Sequence, residues 1–283
     1  MNSTTRYLLK HRILPKSLIS RLFGYITRVP MPRAFLKKFI AWYSAKYGVN
    51  AAEYDEPARG FRTINEFFTR KLKEGARPVD PDPKSVVSPV DARVDQFGRI
   101  HAGRLIQAKG IDYSLAELVP SDTHRRFLDG DFITLYLSPG DYHRIHSPVA
   151  GTIEGWFHVP GKLFTVAELM VQSLPDLFCV NERLISYVST PSGMAAVIKV
   201  GATNVGRISL SYDTVITNTT FRSRREMMYG EGKKKEIGRG GELGIFNLGS
   251  TVVVLFEKGM VRFEALVPGS KVRMGQRMAT LLR

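Results

Sequence analysis

Thr251-Val252-Val253-Val254-Leu255-Phe256 places five apolar residues in an unbroken run after a threonine. Successive side chains of a strand point to opposite faces, so a run that is apolar at odd and even positions alike belongs to a strand covered on both sides. Lys258-Gly259 then turns the chain, and Met260–Leu266 reads as the returning strand. Upstream, Phe132–Leu137, Thr152–Val159, Leu184–Ser189, Met194–Val200 and Arg207–Leu210 are β-rich runs bounded by Gly, Pro or Asn. Pro191-Ser192-Gly193 forms a hairpin turn between two of them. The centre of the molecule is therefore expected to be an antiparallel sheet built around residues 251–256.

The front of the chain reads differently. Thr63-Ile64-Asn65-Glu66 is a capping box that opens a helix predicted over Ile64–Leu72. Arg77-Pro78-Val79-Asp80-Pro81-Asp82-Pro83 is stiff and extended, which sets a boundary between a helical region, 1–75, and a β-rich core, 76–283. Ser88-Pro89-Val90-Asp91, Ser147-Pro148-Val149-Ala150 and Val267-Pro268-Gly269 share a grammar that resembles the strand-opening turns of lipoyl-like β folds. A helix is expected over Ala167–Leu174. The polar, glycine-rich and basic stretch Phe221–Gly241, with its cations at Arg222–Arg239, reads as a mobile loop, either solvated or touching an anionic substrate or lipid. The expected class is α+β, with a mainly antiparallel β core and N-terminal amphipathic helices.

Charge is unevenly placed. The net charge is +15, and residues 1–50 hold ten Lys/Arg with no Asp or Glu, while the rest of the chain is near balance. Such an arm suits nucleic acid or an anionic membrane surface. Its apolar residues favour the membrane. Leu18, Ile19, Leu22, Phe23 and Ile26 recur at helical spacing, and Phe35, Leu36, Phe39, Ile40, Tyr43 and Tyr47 do so again after Pro30 and Pro32. Interfacial helices need such broad apolar faces, and nucleic-acid arms rarely do. The competing reading packs these faces on their own domain or on a second subunit. Lys37-Lys38 interrupts the longest candidate, so no run approaches a membrane span. An acid-free, Arg-rich start also resembles an organellar transit peptide, but two helices over fifty residues are long for one, and the arm is read as part of the mature protein. Cys179 is the single cysteine, which excludes an intrachain disulfide.

Two places offer chemistry. His143 and His146 lie three apart just after a Pro-Gly turn, suited to acid–base work or to hydrogen bonding. Too few further ligands stand near them for a metal, and none is expected. Leu248-Gly249-Ser250-Thr251 puts a serine at the mouth of a rigid buried strand, behind a glycine whose carbonyl is sterically open. A hydroxyl there can attack the preceding carbonyl if a base removes its proton.

Taken together, Leu137-Ser138-Pro139-Gly140-Asp141-Tyr142-His143-Arg144-Ile145-His146-Ser147-Pro148, Gly161-Lys162-Leu163-Phe164, and Gly241-Glu242-Leu243-Gly244-Ile245-Phe246-Asn247-Leu248-Gly249-Ser250-Thr251 resemble the signature stretches of phosphatidylserine decarboxylases of the prokaryotic, pyruvoyl-dependent type. Asn181-Glu182-Arg183 and Val200-Gly201-Ala202 follow the same order and spacing. The similarity runs from about residue 60 to the C-terminus; the arm matches only in character, and the basic stretch Gly230–Lys235 finds no close counterpart.

The resemblance implies a self-processing enzyme cut between Gly249 and Ser250 into chains 1–249 and 250–283. Asp91 corresponds to the acid of an Asp–His–Ser relay, His146 to its base, and Ser250 to the nucleophile that becomes a covalent pyruvoyl cofactor, with no pyridoxal phosphate. His143 corresponds to the histidine of the decarboxylation step, and Tyr142 and Arg144 to supports. The implied reaction turns phosphatidylserine into phosphatidylethanolamine and CO₂ through a Schiff base with the pyruvoyl group. The implied setting is peripheral, on the cytoplasmic side of the cell membrane, as a homodimer without nucleic acid. A serine hydrolase shares the order Asp91, His146, Ser250, but Val252 stands where its Gly-x-Ser-x-Gly elbow needs glycine. A membrane-bound β-rich binding protein is the reading outside enzymes.

Overall fold

The computed structural model describes residues 24–203, 207–218, 223–247 and 251–282. Helices α1 (Arg33–Tyr47) and α2 (Ile64–Phe68) form the front. Strands β1 (Ser85–Val87) and β2 (Ala92–Arg99) follow, then the hairpin β3 (Arg104–Ala108) and β4 (Ile111–Ser114), closed by α3 (Leu115–Leu118). Next come β5 (Asp131–Tyr136), β6 (Arg144–His146) and β7 (Gly151–Val159), and two single-turn helices, α4 (Glu168–Val171) and α5 (Leu177–Val180). The second half is mostly strand: β8 (Arg183–Thr190), β9 (Gly193–Val200), β10 (Ile208–Leu210), β11 (Arg225–Met228), β12 (Lys235–Ile237) and β13 (Glu242–Phe246). It ends with β14 (Thr251–Phe256), β15 (Val261–Phe263), β16 (Lys271–Val272) and β17 (Arg277–Leu281).

The main sheet has nine strands, in the order β11-β7-β8-β9-β14-β5-β2-β16, with β12 also on β7. Strand β14 lies at its middle: Thr251 faces Tyr136 of β5 and Val200 of β9, and all six of its residues are buried. The unbroken apolar run predicts this position because only a central strand hides both faces. Two three-stranded sheets, β10-β13-β6 and β1-β17-β15, complete the core. Every pairing between these strands is antiparallel, as expected for the α+β class. Residues 251–282 are woven in on several sides, through β5 and β9, through β1, and through β2.

Three expectations are corrected. The stretch Phe221–Gly241 is not a mobile loop where it is described: β11 and β12 pair along β7 from Gly151 to His158. An edge strand presents unpaired N–H and C=O groups, and this segment satisfies those of β7. Helix α2 stops at Phe68 rather than Leu72. Thr63 Oγ1 caps it by accepting from Glu66 N at 3.0 Å, but beyond Thr69 the chain extends so that Leu72 bridges Tyr54. The helix expected over Ala167–Leu174 is the single turn α4.

Of the two arm helices, Leu18–Ile26 lies outside the described residues up to Phe23. The second is α1, whose apolar stripe divides. Leu36 and Tyr43 are buried, and Phe39 and Ile40 pack beside them. Tyr43 donates to Pro139 O at 2.7 Å and sets its ring 5.1 Å from that of Phe68. Phe35 and Trp42 remain 56% and 54% exposed, beside exposed Lys37 and Lys38. The inner half of the face therefore packs on its own domain, and only the outer half is free. Among the described residues no helix is long and apolar enough to cross a membrane.

Candidate active site

The turn Ser138–Asp141 aims the histidines. Ser138 N donates to Asp141 Oδ2 at 2.6 Å, and Gly140 is pressed so closely on the end of α1 that a Cβ there would lie 2.3 Å from Tyr47 O. Arg70 Nη2 donates to Gly140 O at 2.9 Å from the other side. Behind this turn His143 is completely buried, with the ring of Phe68 edge-on at 5.7 Å. Its Nδ1 lies 2.6 Å from Asp141 O. A carbonyl only accepts, so Nδ1 carries the proton and Nε2 presents a lone pair. Among the described residues that Nε2 has no partner. Burial pushes the imidazole down to about 4, against the raising effect of the Asp141 bond, so it is neutral at rest.

His146 lies on β6, opposite Glu242 of β13. Its Nδ1 donates to Gly240 O at 2.7 Å, which leaves Nε2 to accept from the Tyr142 hydroxyl at 3.2 Å. The Tyr142 ring stacks on it at 5.6 Å. Burial lowers its pKa, and the Gly240 bond and the charge of Glu242 partly offset that. Gly240 has φ +77°, a region that favours glycine, and a Cβ there would meet Val79 Cγ2 at 2.6 Å. Arg144 fastens the front to this site: Nη1 donates to Glu242 Oε2 at 2.7 Å and Nη2 to Thr69 O at 2.9 Å.

Asp91 is close by, because His146 N donates to Pro89 O at 2.8 Å. It does not, however, hydrogen-bond His146 as the relay requires. Arg77 grips its carboxylate, with Nε 2.9 Å from Oδ1 and Nη2 2.7 Å from Oδ2, and Met274 N donates to Oδ1 at 2.8 Å. A planar guanidinium matches a carboxylate with two parallel bonds, and the His146 Nδ1 proton is already given to Gly240. What Asp91 supplies to both histidines is its charge, a minor raising effect beneath the lowering by burial.

Gly249 and Ser250 lie outside the described residues, and both flanks of that segment are fixed. Phe246 N donates to His143 O at 2.9 Å, and Thr251 opens β14. The fold thus brings His143, His146, Tyr142 and Asp91 to the strand pair that leads into residues 248–250.

Several residues here are missed by the sequence reading. Arg77 looks like part of a connector, and Gly240 like loop; neither carries a local signal for its role. His158 and Glu182 form a buried pair, Nε2 to Oε1 at 2.9 Å, of which only the Asn181-Glu182-Arg183 motif gives a hint. Lys199 is fully buried and bonded to Ser186 Oγ at 2.6 Å, with no ion pair among the described residues, and burial pushes its ammonium down to about 7.

Comparison with known proteins identifies the family. The family model described as phosphatidylserine decarboxylase matches residues 64–280. A phosphatidylserine decarboxylase proenzyme of Myxococcus xanthus (strain DK1622) is 42% identical over 272 residues, covering 95% of this chain and 96% of that one. A proenzyme of the same name from Halorhodospira halophila (strain DSM 244 / SL1) is 43% identical over 278 residues, covering 96% and 93%. One from Brevibacillus brevis (strain 47 / JCM 6285 / NBRC 100599) is 41% identical over 275 residues, covering 95% of each. With a match of this extent, carried through the histidine turn and the strands that frame residues 248–250, the chain belongs to the phosphatidylserine decarboxylase family of enzymes.

Proposed function

We propose that this chain cuts itself between Gly249 and Ser250, converts Ser250 into a covalent pyruvoyl group, and with it decarboxylates phosphatidylserine to phosphatidylethanolamine. The observation that carries the reading is His143: a neutral imidazole, wholly buried, with an Nε2 that has no partner among the described residues and a backbone tied to Phe246, four residues before Ser250. A buried acceptor without a donor costs about 1–3 kcal/mol, so a lone pair that the described residues leave open is available to a group from the segment that follows Phe246.

In the cutting step, His146 Nε2 takes the Ser250 hydroxyl proton, with the Tyr142 hydroxyl as the donor it must exchange or relay through. The serine oxygen attacks the Gly249 carbonyl carbon; the C–N bond breaks and an ester replaces the amide. Loss of the Ser250 α-proton expels the Gly249 carboxylate and leaves a double bond in the side chain. Water then adds and ammonia departs, giving the ketone. Asp91, gripped by Arg77, acts here as a fixed negative charge that favours the imidazolium.

The residues fit the group: two buried imidazoles lie against β13, the strand that leads toward the segment that would carry it, His143 bonded to Phe246 and His146 opposite Glu242. When formed, the ketone supplies an acceptor for the head group's amine and for the electrons released with CO₂. His143 holds and returns a proton at Nε2, and an imidazole depressed to about 4 gives up any proton it gains.

The same proposal places the enzyme peripherally on the cytoplasmic side of the membrane, as a homodimer. Phe35 and Trp42 would insert and Lys37 and Lys38 meet anionic lipid, each cation contributing on the order of 1 kcal/mol. Mass spectrometry of the purified protein tests the central claim. Chains 1–249 and 250–283 are expected, the second blocked at its N-terminus and reactive toward carbonyl reagents. An intact chain with full activity overturns it.

A further inference from the structure

The end of α2 delivers three successive residues to the histidine turn. The ring of Phe68 stands edge-on to His143 at 5.7 Å, Thr69 O accepts from Arg144 Nη2 at 2.9 Å, and Arg70 Nη2 donates to Gly140 O at 2.9 Å. Of these, Arg70 is the one that packing does not explain. It is 5% exposed, and no carboxylate pairs with it among the described residues. Its guanidinium lies 5.1 Å from the centre of the Phe67 ring and 5.6 Å from that of Tyr54, and a longer bond runs from Nη1 to Phe67 O at 3.3 Å. A buried cation without an acid is costly, and an apolar side chain of similar volume would fill the slot between the two rings at less cost. What the guanidinium adds is its charge and its bond to Gly140 O.

That bond completes the fixing of Asp141. Asp141 N donates to Ser138 O at 3.0 Å, its Oδ2 accepts from Ser138 N at 2.6 Å, and the peptide before it is gripped at Gly140 O. With these groups held, the carbonyl of Asp141 has one direction, and it meets His143 Nδ1 at 2.6 Å. A neutral ring that donates at Nδ1 presents its lone pair at Nε2. The charge acts in the same sense, since a nearby cation disfavours the imidazolium. Burial is the larger cause of the low His143 pKa, and Arg70 adds to it against the Asp141 bond and the charge of Asp91.

We propose that Arg70 is a positioning residue for decarboxylation: through Gly140 it holds the turn that fixes the His143 tautomer, and so keeps Nε2 free to take and return a proton. The assignment rests on the role given to His143 above. It does not extend to self-cleavage, because His146 takes its tautomer from Gly240 O on another segment.

The test uses full-length Arg70→Met, which keeps the packing between the rings and removes bond and charge, and Arg70→Lys, which keeps the charge and a donor. Both are expected to cut themselves as the wild type does. In Arg70→Met, kcat for phosphatidylserine should fall by about tenfold or more with KM within about twofold, and Arg70→Lys should recover most of the loss. The acid limb of kcat should move to higher pH in Arg70→Met and stay in place in Arg70→Lys, since the lost cation had favoured the neutral ring. Nitrogen NMR of protein labelled in its histidine rings, with His143 assigned by His143→Phe, reads the tautomer without any turnover. The wild type should carry the proton on Nδ1, and Arg70→Met should show the Nε2–H form as well. A wild-type ring protonated at Nε2 overturns the proposal, and so does a tautomer that Arg70→Met leaves unchanged. Cleavage falling in step with kcat in both variants also overturns it, because Arg70 would then support the fold as a whole. A cleaved wild type that releases no CO₂ from phosphatidylserine sinks the reading of His143 and this inference with it, whereas an unchanged tautomer sinks this one alone.

Discussion

His146 gives its Nδ1 proton to the carbonyl of Gly240 at 2.7 Å, while Asp91 accepts the guanidinium of Arg77 instead. A backbone carbonyl thus sets the tautomer that leaves Nε2 basic, the task usually assigned to the acid of a triad.

Gly240 should therefore matter as much as a catalytic side chain. Gly240→Ala places a methyl 2.6 Å from Val79 Cγ2 at a φ of +77°. The carbonyl must move, and self-cleavage should slow by at least about tenfold at modest cost in stability. Gly240→Ala with Val79→Ala removes the clash but not the strain, so it should recover only part of the rate. Normal cleavage kinetics in the single variant would show that another group orients His146.

Asp91 and Arg77 should behave as a coupled pair. Asp91→Ala strands a buried guanidinium that keeps Glu53 Oε2 and the Ala76 carbonyl, each at 2.7 Å, but loses its bidentate partner, and it frees Met274 N. A loss near 3 kcal/mol is expected, with cleavage abolished. Arg77→Met should destabilise similarly, and the double variant should cost clearly less than the two singles added. Strict additivity in denaturant unfolding of the four proteins argues against the coupling.

The two histidines should separate on a gel. His146→Ala is expected to stay uncut, and His143→Ala to be cut, at least partly, yet inactive. Both imidazoles are shifted down by burial, His143 from 6.5 to about 4. Between those values the unfolded chain binds the proton and the folded one does not, so stability falls as pH drops from 6.5 toward 4. His143→Phe should flatten that slope; an unchanged slope in urea unfolding at several pH values contradicts the assignment.

Lys199 predicts the opposite end of the pH scale. Its ammonium is lowered by burial from 10.5 to about 7, so the cost of the buried charge is complete below pH 7 and is relieved as pH rises toward 10.5. Lys199→Met should be neutral or stabilising by up to about 2 kcal/mol at pH 6, with the gain shrinking at pH 9. Ser186 Oγ keeps the Tyr212 hydroxyl as partner at 2.6 Å in either case. A large loss of thermal stability at pH 6 is the contrary result.

On α1, the exposed and buried halves of the apolar stripe should respond differently. Phe35→Ser with Trp42→Ser should weaken co-sedimentation with vesicles of any charge and leave cleavage intact. Lys37→Glu with Lys38→Glu should weaken binding to anionic vesicles only, and make what remains less sensitive to salt. Tyr43→Ala, which removes a buried ring and its bond to Pro139, should destabilise by about 3–5 kcal/mol. Vesicle binding unaffected by both surface pairs moves the contact to another surface.

The central strand was legible because burial on both faces leaves a local mark, an unbroken apolar run at 252–256. The same holds for the Thr63 cap and for most strand limits, which depend on neighbours within a few residues. His143, His146 and Asp91 were legible as residues, since their motifs are contiguous. Their partners were not. Arg77 meets Asp91 fourteen positions away, Gly240 meets His146 ninety-four away, and Arg70 meets Gly140 seventy away. A hydrogen bond is decided by where the folded backbone aims its donors and acceptors, and nothing in the local sequence records that direction. Likewise the stripe on α1 names a face but not its occupant. Only the packing of Leu36 and Tyr43 against the core, which hides that half from water, decides which residues remain for the membrane.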